Sequence, residues 1–294
     1  FWTAEVTGPE AFGVLGAVAA TTNLAVGTGV LALQLRTPPL LAMAGATLQA
    51  INPDADVFLG IGISSPVVAG RWHGQEYGPR PLAQVREFVT LLRACLSGEK
   101  VDFEGDFYTV KGFRLGVRLG DRQPKIVLGA LNEKMLALGG EVADGVLLNY
   151  LPSSLVPWSV EQIRKGGDAD IYAYVHAGVG NPADADTPAR FDLFSYATVD
   201  AYARNFERAG YGDAVAAIRD AHGQRDRDGA LAAVSREMID GIDFVGSTSD
   251  VQSFVQAYVD HGVEHPILFP LPWGEDRRAV VAATLAAVAP NAPI

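Results

Sequence analysis

Apolar positions in the strand-like segments of this chain run on instead of alternating, which predicts a parallel sheet covered on both faces by helices. Asn23–Leu33 reads Asn-Leu-Ala-Val-Gly-Thr-Gly-Val-Leu-Ala-Leu, an inner strand, and Arg36-Thr37-Pro38-Pro39 follows it. Gly27 and Gly29 break the run towards its C-terminal end. Glycine in a buried strand marks a bulge, or a place where another group comes close to the backbone. In an α/β barrel, that end of the strand carries the chemistry.

The same pattern recurs at Val57–Ile63, followed by Ser64-Ser65-Pro66, and again at Lys125–Leu131, Val146–Tyr150, Ile171–Gly178 and His265–Pro270, with a strand stub at Phe1–Glu5. Helical spacing predicts helices over 11–21, 37–51, 82–96, 132–140, 249–261 and 276–288. Thr37 is the expected N-cap of the second, with Pro38 in its first turn. Gly139-Gly140 is the expected stop of the fourth. A loop over 70–81 carries Trp72, His73 and Tyr77, and Val101–Leu115 alternates around Glu104-Gly105-Asp106 as a hairpin outside the main sheet, within an insertion at 99–124. Residues 187–237 show no strand pattern, only helical pieces bearing Phe194, Tyr196, Tyr202 and Phe206, an expected helical insertion before the last strand. Six strands and a stub, alternating with helices, predict a (β/α)8 TIM barrel in a single domain over 1–294, one strand short, with the first strand and helix expected to precede Phe1. A doubly wound open sheet is the alternative, but no Gly-x-Gly-x-x-Gly follows the first strand.

Composition narrows the classes. The 294 residues are 49% hydrophobic, enough for a full core. A net charge of -11 without a basic run argues against nucleic acid and anionic membrane surfaces. The single cysteine, Cys95, falls on the apolar face of a predicted helix, which excludes a disulfide framework and a cysteine-built metal site. No apolar run reaches the roughly 18 residues of a membrane span, and cytoplasm is the expected location.

Several stretches taken together resemble the bacterial luciferase-like flavin and deazaflavin oxidoreductases, and among them the branch that uses coenzyme F420. They are Trp2-Thr3-Ala4-Glu5, Val26–Val30, Phe58–Gly62, Arg86-Glu87 with Leu91-Leu92-Arg93, Gly98–Tyr108, Gly129-Ala130 with Lys134-Met135, and Ala143-Asp144-Gly145. The resemblance implies a TIM barrel whose glycine-rich strand carries a non-proline cis peptide at Gly29-Val30, pressed against the central ring of the cofactor. It implies that Glu5 faces the polar side of that cofactor, that Ser64 lies at the same mouth, and that Gly129, Ala130, Leu131 and Asn132 line its tail. The small side chains of Gly29, Gly62, Gly129 and Ala130 are expected to leave a hollow there.

Asn132 is also the expected cap of the next helix, whose N-terminus suits a phosphate; Glu133 would repel one and Lys134 could offset it. Asn149, at a strand end, is placed to reach the mouth. His73 is a candidate donor to a substrate carbonyl. His176 lies inside a buried strand without an acidic neighbour in sequence, and no His/Asp/Glu spacing suggests a metal. The sugar-phosphate dehydrogenases that this family contains carry a histidine after the glutamate, a second glutamate and a tryptophan where this chain has Val6, Ser65 and Glu10, so a sugar phosphate is not the expected substrate. The reading is an F420-dependent oxidoreductase moving hydride to or from a small organic molecule. Its alternatives are an FMN-dependent two-component monooxygenase and a cofactor-free structural homologue. The resemblance also implies a homodimer.

Overall fold

The computed structural model describes residues 1–289, which form two compact units. The first comprises residues 1–130, 134–147 and 163–170; the second comprises 131–133, 148–162 and, of the described residues, 171–289.

In the first unit the buried runs become parallel strands: β1 (Trp2–Thr3), β2 (Val26–Thr28), β3 (Leu31–Ala32), β4 (Val57–Gly62), β7 (Lys125–Gly129) and β8 (Gly145–Leu148), with β5 (Val101–Glu104) and β6 (Thr109–Phe113) paired as a separate antiparallel hairpin. The order is β1-β2-β4-β7-β8, with β3 also on β4. All six residues of β4 are buried, as the unbroken apolar run requires.

Helices α1 (Ala11–Thr21), α2 (Pro38–Ile51), α3 (Pro81–Leu96) and α4 (Glu133–Val142) cover this sheet. Thr37 caps α2, its hydroxyl accepting from the Leu40 N–H, and Pro38 takes the first turn. Val85, Phe88, Val89, Leu92, Cys95 and Leu96 form the buried face of α3. Gly139 and Gly140 do not end α4 but lie inside it. A Cβ on Gly140 would overlap the Ile163 carbonyl and one on Gly139 would press on the Val146 side chain, so Gly140 lets a backbone and Gly139 a side chain come close instead of stopping the helix. The loop expected at 70–81 begins as a π-helical turn, Pro66–Trp72, capped by the Ser65 side chain.

The second unit is built on β9 (Asp170–Val179), with β10 (Asp243–Gly246) and β11 (His265–Pro270) both parallel to it. Strand β10 is absent from the sequence reading. Four residues, Asp-Phe-Val-Gly, are too short to show a period, and its first residue is a charged group that ends up fully buried. Its helices are α5 (Val156–Arg164), α6 (Pro182–Ala197), α7 (Asp200–Phe206), α8 (Gly212–Gly223), α9 (Arg227–Ala232), α10 (Arg236–Ile242), α11 (Thr248–Asp260) and α12 (Arg277–Val288). The stretch from α6 to α10 contains no strand and packs its own core around Leu193, Phe206, Val215, Ile218 and Met238, with Tyr196 and Tyr202 against it. Both β10 and β11 follow it.

Candidate active site

In the first unit the C-terminal end of the sheet is built around Val30. The Gly29–Val30 peptide is cis. Thr28, fully buried, holds the strand to β4: its hydroxyl donates to the Gly60 carbonyl and accepts from the Gly60 N–H, both at 2.8 Å. The Gly29 N–H donates to the Thr3 carbonyl at 2.8 Å. A Cβ on Gly60 would collide with the Thr28 carbonyl oxygen, so this position takes only glycine. The Val30 side chain lies over Gly62 and Gly129, where added Cβ atoms would come to 2.9 and 3.1 Å from its two methyl groups.

The glycine hollow expected from the sequence is therefore taken up by Val30 itself, because an isopropyl group fits where two side chains are missing. Val30 remains half-buried. Ala130 is buried, its N–H donating to the Leu147 carbonyl at 3.2 Å.

Glu5 follows β1, and its Oε1 accepts from Arg36 Nη2 at 2.9 Å and from the Ala11 N–H at the start of α1 at 3.1 Å. Glu10 also pairs with Arg36 and caps α1, accepting from the Phe12 and Gly13 N–H groups at 3.1 and 2.7 Å. Burial opposes the Glu10 charge, but the two amides and Arg36 outweigh it and hold the carboxyl below the ordinary range. Burial likewise opposes the Arg36 charge, and Glu5 and Glu10 outweigh it, raising the guanidinium above its usual value. Arg36 covers the Phe12 ring at 4.8 Å, and its Nε is buried without an acceptor. Glu5 thus spends its charge on Arg36 and a helix start.

His73 is exposed, and its Nε2 lies 2.7 Å from the Val6 carbonyl, so the ring fastens one loop to another. Ser64 takes a left-handed φ of 56° just past β4. Beside it Gln34 donates to the Ile63 carbonyl at 2.9 Å, while its Oε1 is buried with no donor.

The second unit brings together residues that the sequence keeps far apart. Asn132 does not cap α4; its Nδ2 donates to the Ala201 carbonyl at 3.2 Å, and its Oδ1 is buried and unpartnered. Glu133 and Lys134 are exposed. Asn149 Oδ1 accepts from the Tyr150 N–H at 3.0 Å and faces His176 Nε2 at 2.9 Å. His176 Nδ1 lies 3.0 Å from Asp243 Oδ1, and the Tyr150 hydroxyl donates to Asp192 at 2.8 Å.

His176 thus has an acidic partner after all, supplied by the strand that the sequence reading missed. The ring stacks on Phe269 at 4.7 Å and meets the Tyr150 edge at 4.4 Å. Donor atoms of His176, Asp192 and Asp243 lie within 4.8 Å of one another, the only such trio among the described residues. Neither the pairing of Arg36 with both acids nor the roles of Asp192 and Asp243 left any spacing signal, since their partners come from other elements.

A model of the family described as luciferase-like monooxygenase matches residues 1–265. The 5,10-methylenetetrahydromethanopterin reductase of Archaeoglobus fulgidus is 28% identical over 275 residues, 88% of this chain and 80% of that protein. Among solved structures, the coenzyme F420 dependent tetrahydromethanopterin reductase from Methanopyrus kandleri superposes with a TM-score of 0.78 at 21% identity, covering 99% of this chain and 90% of that one. An F420-dependent secondary alcohol dehydrogenase in complex with an F420-acetone adduct gives 0.67 at 17% identity, over 91% and 83% of the two chains. These likenesses show the fold to be the TIM barrel of this type. With parallel strands alternating with helices and a family match that spans most of its length, the chain belongs to the luciferase-like monooxygenase family of oxidoreductases.

Proposed function

We propose that this chain is an F420-dependent oxidoreductase that moves hydride between the deazaflavin and a small organic substrate. The observation that carries the reading is Val30, half-buried and seated on Gly62 and Gly129 at the C-terminal ends of β2, β4 and β7. The F420 enzymes among its relatives support it. The residues present fit such a group: a half-buried aliphatic platform, glycines that keep it low, and buried polar atoms without partners at Gln34 Oε1 and Arg36 Nε. When bound, F420 supplies a two-electron hydride carrier.

In this reading Val30 supports the central ring, Gly129 and Ala130 leave room for the tail, and Glu5, held by Arg36, stands at the mouth. Ser64, Leu131, Asn132, Lys134 and Asn149 complete the proposed cofactor contacts, and His73 the proposed substrate contacts. Residues 1–294 act as one catalytic domain, with 99–124 and 187–237 as its insertions, and the enzyme works in the cytoplasm. On α2, Leu40, Met43 and Ile51 are exposed on one helical face at 46%, 49% and 43%, which supports a homodimer through that helix. Among the described residues no helix is long and apolar enough to cross a membrane.

Fluorescence titration of the purified chain with F420 and with FMN tests the reading. Saturable quenching of F420 is expected. Tight FMN binding without a response to F420 would favour the two-component monooxygenase, and no response to either cofactor would favour the structural homologue.

A further inference from the structure

The polar cluster of the second unit holds more acceptors than visible donors. Asn149 Oδ1 is fixed in place by the Tyr150 N–H at 3.0 Å, so the His176 Nε2 that it faces at 2.9 Å must carry a hydrogen. On the other side of the ring, Nδ1 meets Asp243 Oδ1 at 3.0 Å. Asp243 is 0% exposed, and its second oxygen, Oδ2, is buried with no donor. A carboxylate oxygen of Asp192 lies within 4.8 Å of one of Asp243, and Asp192 accepts from the Tyr150 hydroxyl at 2.8 Å. Two carboxylates this close and this buried repel unless one of them carries a proton, and Asp243 Oδ2 lacks a donor. Asp192 also forms part of the wall of a cavity of about 450 Å³, with Thr187, Pro188, Phe191 and Trp273.

We propose that Asp192 and Asp243 share one proton, and that Asp192 holds it at the cavity wall for a ligand with a carbonyl or imine acceptor on an apolar body. Pro188, Phe191 and Trp273 suit the apolar body. The titratable groups facing Asp192 are Asp243, His176, Tyr150, Tyr196 and Tyr202; burial, then the Asp243 charge, pushes its carboxyl up to about 6.

The test uses the full chain, free of F420, so that its failure is distinct from failure to bind the cofactor. Infrared spectra across pH should show a protonated-carboxyl band that titrates near pH 6 and is absent from Asp192→Asn. Saturation-transfer NMR with acetophenone as probe should show binding several-fold tighter at about pH 5 than at about pH 8 in the wild type and equal at both in the variant. Tyr150→Phe removes a donor to the Asp192 carboxylate and should move the band's midpoint upward, a second readout if Asp192→Asn fails to fold. The absence of the band, acetophenone binding independent of pH in the wild type, or a stoichiometric divalent metal that a chelator removes from His176, Asp192 and Asp243 would overturn the proposal.

Discussion

Arg36 donates to Glu5 at 2.9 Å from a side chain only 17% exposed, and it pairs with Glu10 as well. One cation therefore fixes the loop after β1, the start of α1 and the segment leading into α2. Coulomb attraction between such half-buried groups is stronger than at the surface, and an acid left without its partner there costs more than the pair gains.

Arg36→Met is expected to destabilise the chain by about 1–3 kcal/mol, because it strands Glu5 while keeping most of the side-chain volume. Urea unfolding measures it. A double-mutant cycle with Glu5→Gln should recover part of the loss, and strict additivity would show that the pair is not coupled.

Gly62→Ala places a methyl group at 2.9 Å from a Val30 methyl and must displace it. Overpacking of this kind costs about 1–3 kcal/mol. The expected result is a chain that still folds, with a lowered Tm, and binds F420 about tenfold more weakly, a change of about 1.4 kcal/mol. Fluorescence titration beside a thermal melt separates the two effects; unchanged affinity would remove Val30 from the binding surface.

Cys95 is fully buried in α3, and burial pushes its thiol up to about 11. A thiol is nucleophilic only as the thiolate. Labelling by iodoacetamide at pH 8 should therefore be negligible in the native protein and complete in denaturant, followed by mass spectrometry.

Asp192 has a folded value of about 6 against an ordinary 3.8, so the folded state binds its proton more tightly than the unfolded chain does. That contribution to stability is complete below the ordinary value and is lost as pH rises through about 6, by an amount of the order of 3 kcal/mol. Asp192→Asn should flatten this part of the stability–pH curve relative to wild type in urea titrations at several pH values.

The continuous apolar runs at Val57–Gly62 and Lys125–Gly129 announced parallel, doubly covered strands without any tertiary information, because burial on both faces leaves no room for alternation. Thr37, Pro38 and the α3 stripe were legible for the same reason, as local capping and a 3.6-residue period are properties of neighbouring residues. Resemblance added the cis peptide at Gly29–Val30. Gly139 and Gly140 misled, since a glycine that stops a helix and one that lets a backbone or side chain come close look alike in sequence.

What only the tertiary structure decided is where the charges go. Arg36 reaches back to Glu5 and Glu10, and Asp243 sits opposite His176 across the β9–β10 pairing, 67 positions further along the chain. Hydrophobic burial is written into the local pattern because each apolar residue needs only a covered face. A buried charge needs one particular partner, and the pairing of distant elements chooses it.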